Sequence, residues 1–137
     1  MYREARRTDG LVYQGARYEG LTVNFLELLY SAGGNVLNDD GSEPAANSQE
    51  VRDVLAFMRR GITSGAVPKA VTTYKEEESR RAFEAGNATF MRNWPYAYAL
   101  GKESRIPDVR STAVHLHPSI PGDLVRVVDA RLLTDRR

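Results

Sequence analysis

Thr73–Tyr98 reads TYKEEESRRAFEAGNATFMRNWPYAY, and this stretch decides the fold class. Thr73 with Glu76 has the capping-box spacing, in which side chains satisfy the free N–H groups at a helix start. Glu76/Arg80 and Glu77/Arg81 are i,i+4 pairs with the acid first, the better orientation on a helix. Ala82 and Phe83 supply the apolar side, and Gly86 stands where a left-handed helix end is wanted. Ala88-Thr89-Phe90-Met91 is then short, apolar and bounded by Asn87 and Asn93, which predicts a buried strand. Pro95 cannot donate to a strand ladder and ends it. Asn93, Trp94, Tyr96 and Tyr98 gather at the strand's carboxyl end, the place where α/β proteins tend to bind ligands.

Upstream the same alternation recurs. Tyr2 to Asp9 reads as the last turns of a helix stopped by Gly10, and Leu11-Val12-Tyr13 as a strand. Gln14 to Glu19 is a polar loop at that strand's end, placed much as Asn93 to Tyr98 are. Leu21, Phe25, Leu28, Leu29 and Ala32 then make one apolar helical stripe ending at Gly33-Gly34. Asn35-Val36-Leu37 is expected to be a strand entering a turn over Asn38-Asp39-Asp40-Gly41. Asn47 with Glu50 suggests a second capping box. Val51, Val54, Leu55, Met58 and Ile62 carry the helical spacing that follows, closed by Gly65 and Pro68. Helices mixed with short strands predict an α/β lobe.

Length and composition bound the function. At 137 residues the chain is one domain by size, with 42% hydrophobic and 27% charged residues, as in ordinary globular chains. A net charge of +1 calls for no polyanionic partner and argues against nucleic-acid binding. The absence of cysteine removes disulfides and thiolate metal sites. No stretch approaches the ~20 apolar residues of a membrane helix, and MYREARRTDG holds no apolar leader region.

The segment AFEAGNATFMRNWPYAYAL resembles the F-x-x-G-x-A-x-M-x-N-W-P-Y segment of extracellular solute-binding proteins serving ABC-type sugar importers, in particular the trehalose/maltose-binding type. The resemblance continues upstream through VYQGARYEGLTVNFLELLYSAGGNVLNDDG and NSQEVRDVLAFMRRGITSGAVP, and so spans roughly residues 10–107. It implies part of one lobe of a two-lobed, periplasmic-binding-protein-like fold over residues 1–110. Residues 111–137 depart from the family pattern and are expected to be an atypical tail, truncated or frame-shifted. Members of the family carry a secretory or lipoprotein signal and a further lobe, so the chain is expected to be a piece of a larger, extracytoplasmic protein. The resemblance implies a saccharide ligand, a membrane permease as partner, no cofactor and no enzymatic activity.

Sugars offer hydroxyl edges and apolar C–H faces, so their sites combine aromatic platforms with acids, amides and arginine. Trp94 and Tyr96, with Asn93 beside them, have that chemistry, and the resemblance places their segment in the sugar cleft. On spacing alone Trp94 reads more readily as a core residue, and it is the resemblance that reverses this. Gln14, Tyr18 and Glu19 form the second candidate set, although Glu19 also suits the positive end of the following helix dipole.

Other features read as structural. Glu76-Glu77-Glu78 is expected to be a solvated helix face, and Asp39 and Asp40 to form a turn. His115 and His117 make a weak metal pair without further ligands. Two alternatives stand beside the importer reading. A glycoside hydrolase fragment would need two carboxyl groups about 5–10 Å apart, for which Glu19 has no evident partner. A piece without activity of its own would self-associate through the apolar surface that its missing parts once covered.

Overall fold

A computed structural model describes residues 9–103, 109–113 and 126–130. Four strands form one sheet: β1 Asp9–Val12, β2 Ala88–Asn93, β3 Val109–Ala113 and β4 Arg126–Ala130, in the order β1-β2-β4-β3. β1 and β2 are parallel, with Leu11 opposite Phe90 and Val12 opposite Met91. β4 runs antiparallel to both of its neighbours, β2 and β3. The helices are α1 Glu19–Ser31, α2 Gln49–Thr63, α3 Glu76–Glu84 and α4 Tyr96–Glu103, with a short 3-10 helix over Lys69–Thr73. The parallel pair requires a long crossover, and α1, α2 and α3 supply it.

The core lies where α3, α4 and the loop before the 3-10 helix meet the sheet. Val12, Tyr13, Val67, Val71, Phe83, Ala88, Met91 and Ala97 are buried together there. Phe83 reaches it because α3 is set directly against β2. Gly86 then turns the chain at φ +74°, a region that costs glycine little and β-carbon residues more, and β2 begins two residues later.

Several sequence expectations shift by one or two residues, for identifiable reasons. α3 starts at Glu76, so Thr73 does not cap it; its hydroxyl donates to the Ala70 carbonyl of the 3-10 helix. The acid reaching back to the helix start is Glu78, which accepts the Lys75 backbone N–H at 3.0 Å. Ser48 rather than Asn47 caps α2, its hydroxyl oxygen accepting the Val51 N–H, an arrangement worth about 1 kcal/mol. Arg80 does not pair with Glu76. It bridges Glu77 and Glu84 instead, at 2.6 Å each, because Glu76 is turned to other partners.

Asn35–Leu37 forms only a single bridge, Leu37 to Pro44, around a turn closed by the Gly41 N–H on the Asn38 carbonyl. Asp9, placed by the sequence at a helix end, opens β1. β2 runs two residues past Met91 to Asn93, with Trp94 and Pro95 following it. In α2, Val51 and Val54 are buried while Leu55 is exposed. The remainder of the expected first helix lies outside the described residues, as do His115 and His117.

Candidate functional site

The site is assembled where three chain segments converge: the loop from Tyr13 to Tyr18, the first turn of α3, and the turn joining β2 to α4. Its floor is polar and buried. Gln14, fully buried just beyond β1, donates through Nε2 to the Arg92 carbonyl and accepts from Arg92 Nη1 at 2.9 Å. Asn24 of α1 donates to the Gln14 and Gly20 carbonyls and to the Gln14 side-chain oxygen. The loop is also clipped from outside, because Gly15 and Ala16 both donate backbone N–H groups to the Tyr74 carbonyl. A side chain at position 15 would stand 2.5 Å from the Val71 carbonyl oxygen, so glycine is needed for this approach.

Asn93 is buried too. Its amide nitrogen donates to the Glu76 carbonyl at 3.0 Å, and its oxygen accepts the Trp94 N–H at 2.8 Å. These bonds fix the end of β2 to the start of α3. Ser79, fully buried, shares its hydroxyl proton between the Tyr13 and Lys75 carbonyls and ties α3 to the end of β1.

Above this floor the aromatic residues stand around the first turn of α3. Tyr18, half-buried, donates its hydroxyl to Glu76 Oε1 at 2.7 Å. The half-buried Trp94 donates Nε1–H to the same oxygen at 3.2 Å. Tyr96, exposed at the first position of α4, donates to Glu77 Oε1 at 2.9 Å. The Arg92 guanidinium lies 4.3 Å from the Trp94 ring centroid, and Lys75 Nζ lies 5.1 Å from the Tyr18 ring, both cation–π distances. Glu19 is exposed at the first position of α1, next to Tyr18 in sequence, and favours that helix dipole.

The electrostatics follow from these contacts. Burial opposes the charge on Glu76, but hydrogen bonds from Tyr18, its own backbone N–H and Trp94 outweigh it and hold the carboxyl below its usual range. For Tyr18, burial and the hydrogen bond to Glu76 push the phenol well above its ordinary value. Burial, followed by the bond to Glu77, pushes the Tyr96 phenol up to about 12. Both tyrosines therefore stay neutral donors and both glutamates stay charged acceptors across the physiological range.

The structure thus brings Trp94, Tyr96 and Tyr18 to one surface, with Glu19 at its margin and Gln14 and Asn93 spent on buried hydrogen bonds beneath it. Glu77, with its side chain 43% exposed, and the exposed Glu78 keep to the solvated face that the charge run suggested, but Glu76 and Glu77 also accept aromatic donors from the β2–α4 turn or the Tyr18 loop. The one sequence signal for this was position. Acids in a helix's first turn stand at its positive end, where the chain's neighbouring turns also converge. Among the described residues no group of three or more potential ligand side chains could hold a metal ion.

Comparison with known proteins places this architecture. No family model matches the chain. It is 42% identical over 113 residues, 82% of its length, to a probable ABC transporter-binding protein of Deinococcus radiodurans, and spans 27% of that protein. The maltose-bound MalE3 of T. maritima superposes with a TM-score of 0.66 at 48% identity, over 72% of this chain and 26% of that one. A solute-binding protein of Agrobacterium radiobacter in complex with ribitol shares the fold, with a TM-score of 0.70 at 20% identity, over 89% of this chain and 31% of that one. These relatives are transporter binding proteins rather than enzymes. The chain spans about a quarter to a third of their length. In sequence and in fold, then, this chain is related to the solute-binding proteins of ABC-type sugar importers and carries the α/β architecture of part of one of their lobes.

Proposed function

We propose that this segment supplies one wall of a saccharide-binding cleft in the substrate-binding subunit of an ABC importer. The observation that carries the reading is the convergence of Trp94, Tyr96 and Tyr18 on Glu76 and Glu77. Aromatic faces take the apolar faces of a pyranose, and carboxylates accept its hydroxyls. Trp94, Tyr96 and Tyr18 are the stacking groups, Glu19 and Glu76 the acceptors, and Gln14 and Asn93 hold the framework. An α-linked disaccharide such as maltose or trehalose is the ligand class, in keeping with the maltose-bound relative at 48% identity.

In the whole protein, closure of a second lobe over the sugar would complete the cleft and present the closed form to the permease outside the cytoplasm. The protein binds and delivers and needs no cofactor. One wall alone leaves half of the ligand in water, so this chain binds sugar weakly. Trp94 is the single tryptophan, and its fluorescence titrated with maltose and trehalose tests the reading. A saturable shift with a dissociation constant in the millimolar range is expected. Micromolar affinity would contradict the half-cleft argument, and a response to neither sugar even at saturating levels would remove Trp94 from the site.

A second observation bears on how the isolated chain behaves. An apolar groove of about 680 Å³ runs between α1, α2 and the outer sheet face, lined by Leu11, Leu28, Phe57, Met58 and Phe90. Phe57 and Phe90 are exposed at 56% and 42%, which favours self-association of this chain through the groove. Sedimentation that rises with concentration is the expected result, and a Phe57→Ser variant should reduce it.

A further inference from the structure

Arg92 is the buried cation of the molecule's described part, and its surroundings are more elaborate than a structural salt bridge requires. Its side chain is 7% exposed and that of its partner Glu27, on α1, is 15% exposed. Arg92 Nε donates to Glu27 Oε2 at 3.0 Å, and Nη2 donates to Glu27 Oε1, so the pair is a two-pronged fork. Gln14 Oε1 accepts from Nη1 at 2.9 Å. Gln14 in turn is held by Asn24 and by the Arg92 carbonyl. One donor on each guanidinium nitrogen is thus held by α1 or the loop after β1. The guanidinium carbon also lies over the Trp94 ring, 4.3 Å from the ring centroid.

Two anchors therefore fix the indole. Nε1 is tied at its edge to Glu76, and one π-face is covered by Arg92. A planar guanidinium held by a carboxylate fork has little rotational freedom, unlike an ammonium on a flexible stem. We infer that Arg92, locked by Glu27 and Gln14, is a positioning residue for the saccharide platform: it closes one face of Trp94 and presents the other to ligand. Arg92 itself touches no sugar. The inference rests on the reading of Trp94 as a stacking group, but its first test does not need a sugar.

In this chain without ligand, the Arg92 δ and ε protons should show upfield ring-current shifts in NMR spectra, and the Trp94 indole N–H should be as rigid as the surrounding backbone. An unshifted Arg92 side chain or a mobile indole overturns the inference. Arg92→Lys keeps the charge and loses the two-pronged fork that holds the cation over the ring. It should leave the far-ultraviolet circular dichroism unchanged, alter the near-ultraviolet band of Trp94, and raise acrylamide quenching of its fluorescence about twofold. With the sugar that binds the wild type, affinity should fall about threefold to tenfold, the range expected when a partly desolvated cation–π contact is lost. Glu27→Gln, which keeps the shape and removes the charge, should move the same Trp94 signals in the same direction. Variants that lose stability while Trp94 keeps its wild-type spectrum and quenching would show a purely structural pair and overturn the inference. Altered Trp94 signals in a chain whose wild type binds neither maltose nor trehalose would uphold the positioning role and refute the saccharide reading alone.

Discussion

The Tyr18 hydroxyl donates to Glu76 Oε1 across 2.7 Å, joining residues 58 apart in sequence. Trp94 Nε1 shares that oxygen, so one carboxylate oxygen holds the loop before α1, the start of α3 and the end of β2. The arrangement explains why a charge run at a helix start is not simply solvated: two neutral donors from aromatic rings reach the acid where the helix's own N–H groups already favour its charge.

Removing that acceptor should be visible at Trp94. The Glu76 carboxyl sits below its ordinary value of 4.5, so its hydrogen bonds stabilise the fold fully above the unfolded-state value. That contribution fades as pH falls through the lower folded-state value. An acid titration of Trp94 fluorescence should therefore show a transition with its midpoint under 4.5, absent in Glu76→Gln. Tyr18→Phe should cost about 1 kcal/mol in urea unfolding, the usual net value of one hydrogen bond. A Trp94 titration identical in the wild type and Glu76→Gln would refute the shared-oxygen arrangement.

Tyr96 offers a test at the alkaline end. Burial and Glu77 raise its phenol from 10.0 to about 12. The folded state then holds its proton more tightly than the unfolded state, so stability falls as pH rises from about 10 to 12. Subtracting the ultraviolet phenolate titration of Tyr96→Phe from that of the wild type should isolate this late ionisation. Glu77→Gln should bring it back toward 10, and an unmoved midpoint would separate the two residues.

The core prediction is larger. Phe83 is fully buried between α3 and β2, and Phe83→Ala should lose about 3–5 kcal/mol through lost transfer energy and a cavity. On the same helix, Glu84→Gln breaks one arm of the half-buried Arg80 bridge and should cost only about 1 kcal/mol. Calorimetric unfolding of both variants checks the contrast. Equal losses would mean that α3 is held by its surface charges rather than by its buried face.

Much of this was legible along the chain. Phe83 on the inner side of a helix, Gly86 at its left-handed stop, a strand from Ala88 and an end before Pro95 all follow from patterns within a few residues. The capping assignments missed by one or two positions because threonine, serine and asparagine are interchangeable as local signals, and only the path of the preceding chain selects Ser48 over Asn47 or ends the 3-10 helix at Thr73. The buried Asn24, on what read as an apolar helix, was missed because, besides the Gly20 carbonyl of its own helix, its partners are the backbone and side-chain oxygens of Gln14, in the preceding loop.

The sequence by itself determined the α/β alternation, the gathering of Trp94, Tyr96 and Asn93 at one strand's end, and the resemblance to sugar-importer binding proteins. Tertiary structure alone decided that Arg92 meets Glu27, 65 residues away, and that Glu76 accepts from both Tyr18 and Trp94. It also decided that Gln14 is buried and bonded to Arg92, and that β4 lies between β2 and β3. Periodicity, caps and turns act over a turn or two of chain. A buried charge finds its partner only when packing has brought two distant elements together, because leaving either group unpaired there would cost several kcal/mol.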